Sequence, residues 1–254
     1  MIVSFEGDKF KLIITVRVSA DFMTTDQFGN SYLVKGNEVI LYDSTGVRKL
    51  NYSENNSGKL KSVDASNPLK ILLFYPEFAQ VCFLDSKLSL QAKIDLKREK
   101  IQQPELVCTS AEGGFWVYDR QDNQLKRLNE KLEVKYESGN LWQILEYDIH
   151  PSFITESDKF VYMNNPATGI LVFDNFGNYV KTLSFRNIAF MQVKGNDMFF
   201  FNEGKLKIYN LRSLVEHPMN LPELNGEELV SARIEKGKLF LLKKENYSIY
   251  AFQF

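Results

Sequence analysis

The chain has 254 residues, 44% hydrophobic, 13% aromatic and 25% charged, and its 31 Lys plus Arg against 32 Asp plus Glu leave a net charge of -1. That composition is globular and excludes disordered and collagen-like chains, and the balanced charge gives no global field favouring nucleic acid or an anionic membrane surface.

The opening residues, Met1-Ile2-Val3-Ser4-Phe5-Glu6-Gly7-Asp8, show neither a basic n-region nor a long apolar h-region. No secretory signal is legible there, so the chain reads either as cytosolic or as one in which Met1 replaces a removed signal. Phe10 to Val18 then forms a strand-like run with no earlier partner. No apolar stretch approaches the roughly 18 residues of a membrane helix; the greasiest, such as Ile71 to Tyr75, are strand length.

From there the chain repeats itself. Five apolar runs end in Asp or Asn followed by a short turn, at Asp43, Asp85, Asn129, Asp174 and Asn210, with spacings of 42, 44, 45 and 36 residues. A period near 40 in a β pattern predicts four-stranded propeller blades. The acidic or amide side chain closes an Asx-turn, and Gly46 and Gly177 supply positive φ.

β-branched and aromatic runs place first strands near 21–26, 61–66, 105–110, 152–156, 188–194 and 229–235, and second strands near 31–35, 70–75, 114–119, 160–163, 197–201 and 238–243. Six blades account for the chain, which is therefore expected to be a single domain over 1–254. The last blade lacks a strand, and the Phe10–Val18 run is expected to supply it, closing the ring and removing an open edge. Helix signals are weak. Lys97 to Gln103 reads as a charged connector, Glu223 to Glu228 as a helical turn at most, and Ser53 to Lys59 as an exposed inter-blade loop.

Chemistry-bearing residues are few. Cys82 and Cys108 sit among apolar neighbours and read as structural. With only His150 and His217, a His-based metal site would have to recruit carboxylates. Thr25, Ser62, Asp64, Thr109, Ser110, Thr155, Gln192, Ser231 and Arg233 are polar first-strand positions expected to line a central tunnel, where they would either tolerate water or hold a small ligand.

The connector Gly139 to His150 is the most distinctive. If it is extended, alternation puts Glu146, Asp148 and His150 on one face as an acid/base set; Trp142 and Tyr147 suit either an interface anchor or inter-blade packing. Lys alternating with aromatics at Lys205 to Tyr209 and Lys236 to Tyr250 reads as protection of exposed strands, not as a nucleic-acid surface.

Two segments, Asp26-Gln27-Phe28-Gly29-Asn30-Ser31-Tyr32-Leu33-Val34 and Gly169-Ile170-Leu171-Val172-Phe173-Asp174-Asn175-Phe176-Gly177-Asn178, resemble the six-bladed propellers of the NHL-repeat superfamily. The marks of WD repeats, kelch repeats and sialidase Asp boxes are missing. More narrowly, Gly58 to Asp64 leading into Asn67 to Tyr75 is similar to short exported propellers of gliding, surface-active bacteria, a group that includes a plug-like accessory subunit of the type 9 secretion translocon. That resemblance implies a periplasmic location against the outer membrane and a protein partner from a secretion assembly, without insertion into the membrane, and it carries over no site residues. The expectation is an all-β, six-bladed, non-catalytic interaction protein without cofactor or metal, with Trp142, Tyr147 and His150 as partner contacts. The competing expectation is a hydrolase, a lyase or a small-ligand binder at the tunnel mouth.

Overall fold

The computed structural model describes residues 10–202, 204–222 and 228–252. They form six four-stranded antiparallel sheets, the blades of a six-bladed β-propeller. After β1 (Lys11–Arg17), the first blade contains β2 (Phe22–Thr25), β3 (Ser31–Lys35), β4 (Glu38–Tyr42) and β5 (Arg48–Ser53); the second contains β6 (Ser62–Asp64), β7 (Ile71–Tyr75), β8 (Gln80–Leu84) and β9 (Leu90–Asp95). The third blade is β10 (Pro104–Thr109), β11 (Phe115–Asp119), β12 (Gln124–Leu128) and β13 (Val134–Glu137), and the fourth β14 (Phe153–Ser157), β15 (Phe160–Asn165), β16 (Gly169–Asp174) and β17 (Tyr179–Leu183). The fifth is β18 (Phe190–Lys194), β19 (Asp197–Asn202), β20 (Lys205–Asn210) and β21 (Glu216–Met219). The sixth has β22 (Leu229–Glu235), β23 (Lys238–Lys243) and β24 (Asn246–Ala251), and β1 completes it in the order β1-β24-β23-β22.

The chain divides into two compact units: Met1–Glu54 with Ala189–Gln192 and Asn196–Phe254, and Asn55–Ile188 with Val193–Gly195. In each, apolar side chains of neighbouring blades interlock. Met23, Leu33 and Tyr42 of the first blade pack on Phe240, Leu242 and Tyr247 of the sixth, and Leu106, Trp116 and Tyr118 of the third pack on Ile154, Met163 and Phe173 of the fourth. Middle strands such as β7 are apolar throughout because both their faces are covered, whereas the outer strand β9 is largely exposed.

The Asx-turns at Asp43, Asp85, Asn129 and Asp174 share one geometry. Asp43 Oδ1 accepts from the N–H groups of Thr45 (2.9 Å) and Val47 (3.1 Å); Asp85 Oδ1 accepts from Lys87 (2.9 Å) and Ser89 (2.8 Å); Asn129 Oδ1 accepts from Lys131 and Glu133, both at 2.9 Å. The third residue after the acceptor is left-handed. Gly46 (φ 84) and Gly177 (φ 87) do this freely, but Leu88 (φ 57) and Leu132 (φ 65) take the same role. A left-handed side chain costs about 1–2 kcal/mol, and burying a Leu returns about 1.5–3. Leu88, 4% exposed, and Leu132, packed on the Phe83–Phe115 cluster, offset the strain by burial.

One local expectation needs correction. The 53–59 stretch is not wholly an exposed loop: β5 continues to Ser53, and Ser57 is completely buried. The charged connector expected over Lys97 to Gln103 joins β9 to β10 and is organised by a hydrogen-bonded turn over residues 96–100, closed by Ile101 N–H on the Leu96 carbonyl (3.0 Å). The turn expected over Glu223 to Glu228 falls on residues 223–227, outside the described ones. Cys82 and Cys108 are both buried and unbridged, and burial pushes the Cys108 thiol well above its ordinary pKa, which suits packing and not reactivity.

Candidate functional site

The 139–150 connector folds as a short helix, α1 (Leu141–Leu145), not as an extended segment. Asn140 is the reason. Its Oδ1 accepts from the Gln143 N–H at 3.1 Å, its Nδ2 donates to the Asp122 carbonyl at 3.0 Å, and the Leu141 N–H donates to the Asn123 carbonyl at 2.8 Å. The helix is thus capped and tied to the β11–β12 turn. Glu146 ends it in the left-handed region (φ 61), its N–H donating to the Trp142 carbonyl.

Side chains sort around that single turn. Leu141 is buried, and Leu145 and Tyr147 pack against the cluster of Trp116, Tyr118, Ile149 and Phe173. Trp142 and Ile144 point outward, 57% and 43% exposed. Of the two aromatic anchors expected, Tyr147 therefore serves inter-blade packing and Trp142 alone presents a large exposed ring.

The helix ends before Glu146 and no strand runs through residues 146–150, so Glu146, Asp148 and His150 do not share a strand face. Asp148 Oδ2 lies 2.7 Å from Arg120 Nη2 and 3.5 Å from His150 Nε2, and Arg120 Nη1 also donates to the Ile149 carbonyl. The His150 N–H donates to Asn165 Oδ1 (3.1 Å), while its side chain is 76% exposed. Arg120 holds the Asp148 carboxyl below the usual carboxylate range, which makes it a poor proton acceptor at neutral pH. Tyr118, whose hydroxyl donates to Asn123 Oδ1 at 2.7 Å, is pushed up to about 12 by burial. The arrangement is a clamp that fixes the connector where it leaves α1.

The polar first-strand residues are largely engaged in stitching neighbouring blades. Asp64 Oδ2 accepts from the Thr109 N–H and hydroxyl, both at 2.8 Å. Gln192 accepts from the Ile234 N–H (2.9 Å) and donates to the Ile234 carbonyl (3.1 Å), and Arg233 donates to the Met191 carbonyl (2.9 Å). Ser110 Oγ instead accepts from Arg127 Nε of its own blade at 3.0 Å, and Ser231 Oγ lies 3.4 Å from the Met23 carbonyl of the first blade. Thr25 is buried, with its hydroxyl unpartnered among the described residues. Sequence reasoning missed Glu156, whose carboxylate accepts from Trp116 Nε1 (2.6 Å) and the Ala111 N–H (3.1 Å); its place in the first strand of the fourth blade, aligned with Asp64 of the second, was the available signal. Among the described residues no three His, Cys, Asp or Glu side chains converge as a metal-binding set, and no helix is long and apolar enough to cross a membrane.

No family model matches the chain, and no curated protein matches its sequence. Solved structures match its fold. A streptogramin B lyase superposes with a TM-score of 0.68 at 13% identity over 98% of this chain and 99% of that chain. The WD40 domain of Neurospora crassa Pan2 gives 0.66 at 10% identity over 96% and 95%, and BBS1N, crystallised in complex with ARL6DN, gives 0.58 at 12% over 92% and 78%. At these identities the likeness is one of fold, and the class it defines is the six-bladed β-propeller. Across that class the same sheets carry both enzymes and interaction domains.

Proposed function

We propose that this protein is a non-catalytic interaction propeller, related to the NHL-like group, which serves as an accessory subunit of a bacterial envelope assembly. It docks from the periplasmic side on an outer-membrane or secretion-complex protein, and a type 9 secretion translocon is the assembly to which its 58–75 segment is similar. The observation that carries the reading is α1 itself, a capped, tied-down turn that exposes both Trp142 and Ile144 and leads into the Arg120–Asp148 ion pair and the exposed His150. An exposed Trp ring held on a rigid, capped turn has the character of an interface hot spot. Propellers of this fold also occur in complexes with proteins, as BBS1N does with ARL6DN.

Affinity capture from gently solubilised native membranes tests it, with wild type and a W142A/I144S variant compared at equal loading. The expected result is a stoichiometric membrane partner whose recovery falls about tenfold or more in the variant, since truncating a hot spot costs about 2 kcal/mol or more. Recovery of wild type as a lone monomer, or of the same partner by both proteins, overturns the reading.

The second reading, an enzyme on the same fold, is favoured by the likeness to lyases. It predicts a stoichiometric metal or small ligand that raises the melting temperature on addition.

A further inference from the structure

Within the Asn55–Ile188 unit, antiparallel order puts the first-to-second and third-to-fourth turns of each sheet at one end and α1 at the other. At the turn end two cavities adjoin. One, of about 300 Å³, has an apolar wall of Leu69, Phe83, Ile94, Phe115 and Leu132. The other, of about 270 Å³, is polar, lined by Ser66, Asn67, Thr109, Ser110, Glu156 and Asp158. Lys70, Gly114 and Glu130 line both. Lys70 Nζ lies 3.0 Å from Glu130 Oε1 and 4.9 Å above the Phe83 ring, so its charge is already answered at the shared wall. Gly114 has no side chain to fill the space, and could have none: a Cβ there would stand 1.9 Å from the Leu128 carbonyl oxygen.

The chemistry of the pair is complementary to one kind of occupant. With Lys70 paired to Glu130, Glu156 and Asp158 leave the polar cavity negative. Glu156 is held in place by the Trp116 and Ala111 N–H groups, and a carboxylate has about four acceptor positions, so fixed lone pairs remain for an incoming donor. On the other side Leu69, 73% exposed, forms a greasy rim to the apolar cavity.

We propose that these adjoining cavities bind a peptide segment in extended form, a large apolar side chain entering the 300 Å³ cavity and a Lys or Arg entering the acidic one. On a strand, side chains two positions apart point the same way and stand about 7 Å apart, a reach suited to neighbouring pockets. The site lies on different elements from the Trp142 face and stands or falls independently of it.

Calorimetric titration of the full chain with the blocked pentapeptides GFGRG, GFGEG and GGGRG tests it. GFGRG saturates, and the other two bind at least about tenfold more weakly, one for lack of the cation and one for lack of the buried ring. D158N weakens GFGRG about three- to tenfold and leaves GFGEG unchanged, while L69S weakens both Phe-containing peptides; both positions are exposed, and an unchanged melting temperature verifies that each variant is folded. Equal affinity for GFGRG and GFGEG, indifference to both substitutions, or no saturation by about 5 mM overturns the site. Phenethylamine binding as tightly as GFGRG overturns the peptide as its occupant.

Discussion

Leu214 occupies the strained position of the fifth-blade turn. Asn210 Oδ1 accepts from Arg212 (3.1 Å) and Ser213 (2.8 Å), and one residue later than in the other turns Leu214 is left-handed at φ 61. Unlike Leu88, it is 59% exposed and recovers little by burial. L214G should therefore relieve about 1–2 kcal/mol of backbone strain against about 0.4–1 of added unfolded-state entropy, raising the melting temperature by about 1–3 °C. L88G should lower stability by about 1–3 kcal/mol, because there the lost side chain fills a core. Thermal unfolding of both variants checks the pair, and a fall in both would show that Leu214 contributes contacts its exposure does not reveal. The turns themselves were legible from Asp, Asn and Gly. That Leu serves where Gly does elsewhere was not, because the compensation lies in packing across blades and leaves no local mark.

Individual turns become a repeated element through their carboxylates, which hold the pH dependence of the fold. Burial acts to raise the pKa of Asp43, but the Thr45 hydroxyl, Lys49 and the turn N–H groups outweigh it and hold the carboxyl below its usual range. Asp85 is lowered chiefly by the Ser89 N–H, and Asp174 is lowered by the Asn178 side chain and the turn N–H groups against the opposing effect of burial. A carboxylate whose pKa is depressed on folding stabilises the native state above its unfolded value near 4, and that contribution is lost as pH falls through the folded value. Urea midpoints of wild type should drop steeply below about pH 4. D43N/D85N keeps the Oδ1 acceptor, as Asn129 and Asn210 do naturally, and should fall less steeply over the same range; parallel curves would exclude these turns as the source. At this scale the strands were readable and α1 was not. Its signal was present in Asn140, a good N-cap, followed by Leu141 and Leu145 one turn apart, but a β period on either side favoured an extended reading.

The 40-residue period and the missing strand of the last blade made the architecture of the whole molecule readable, because repetition constrains topology more tightly than any local propensity. The function was far less readable, since first-strand polar residues look alike whether they line a channel or stitch blades, and it takes cross-blade bonds such as Asp64–Thr109 and Gln192–Ile234 to distinguish the two. The architecture depends on one long-range pairing. β1 runs antiparallel to β24 from Lys11 opposite Ala251 to Arg17 opposite Asn246, with Thr15 Oγ1 bonded to Ser248 Oγ (2.9 Å) across 233 residues of sequence, and Ile14, Val16 and Val18 pack on Phe240, Tyr247 and Ile249. Three half-buried aliphatic side chains and a strand of hydrogen bonds contribute about 3–5 kcal/mol, or about 10 °C in melting temperature for a chain of this size. Deleting residues 1–18 exposes the β24 edge as well, so the truncated protein should melt at least that much lower or aggregate. I14D, which keeps the chain length, should destabilise in the same direction. A synthetic peptide of residues 10–18 should restore the truncated chain in a dose-dependent way by donating the strand in trans. A truncated chain that melts cooperatively within about 2 °C of the intact one and ignores the peptide would mean that the sixth blade holds with three strands.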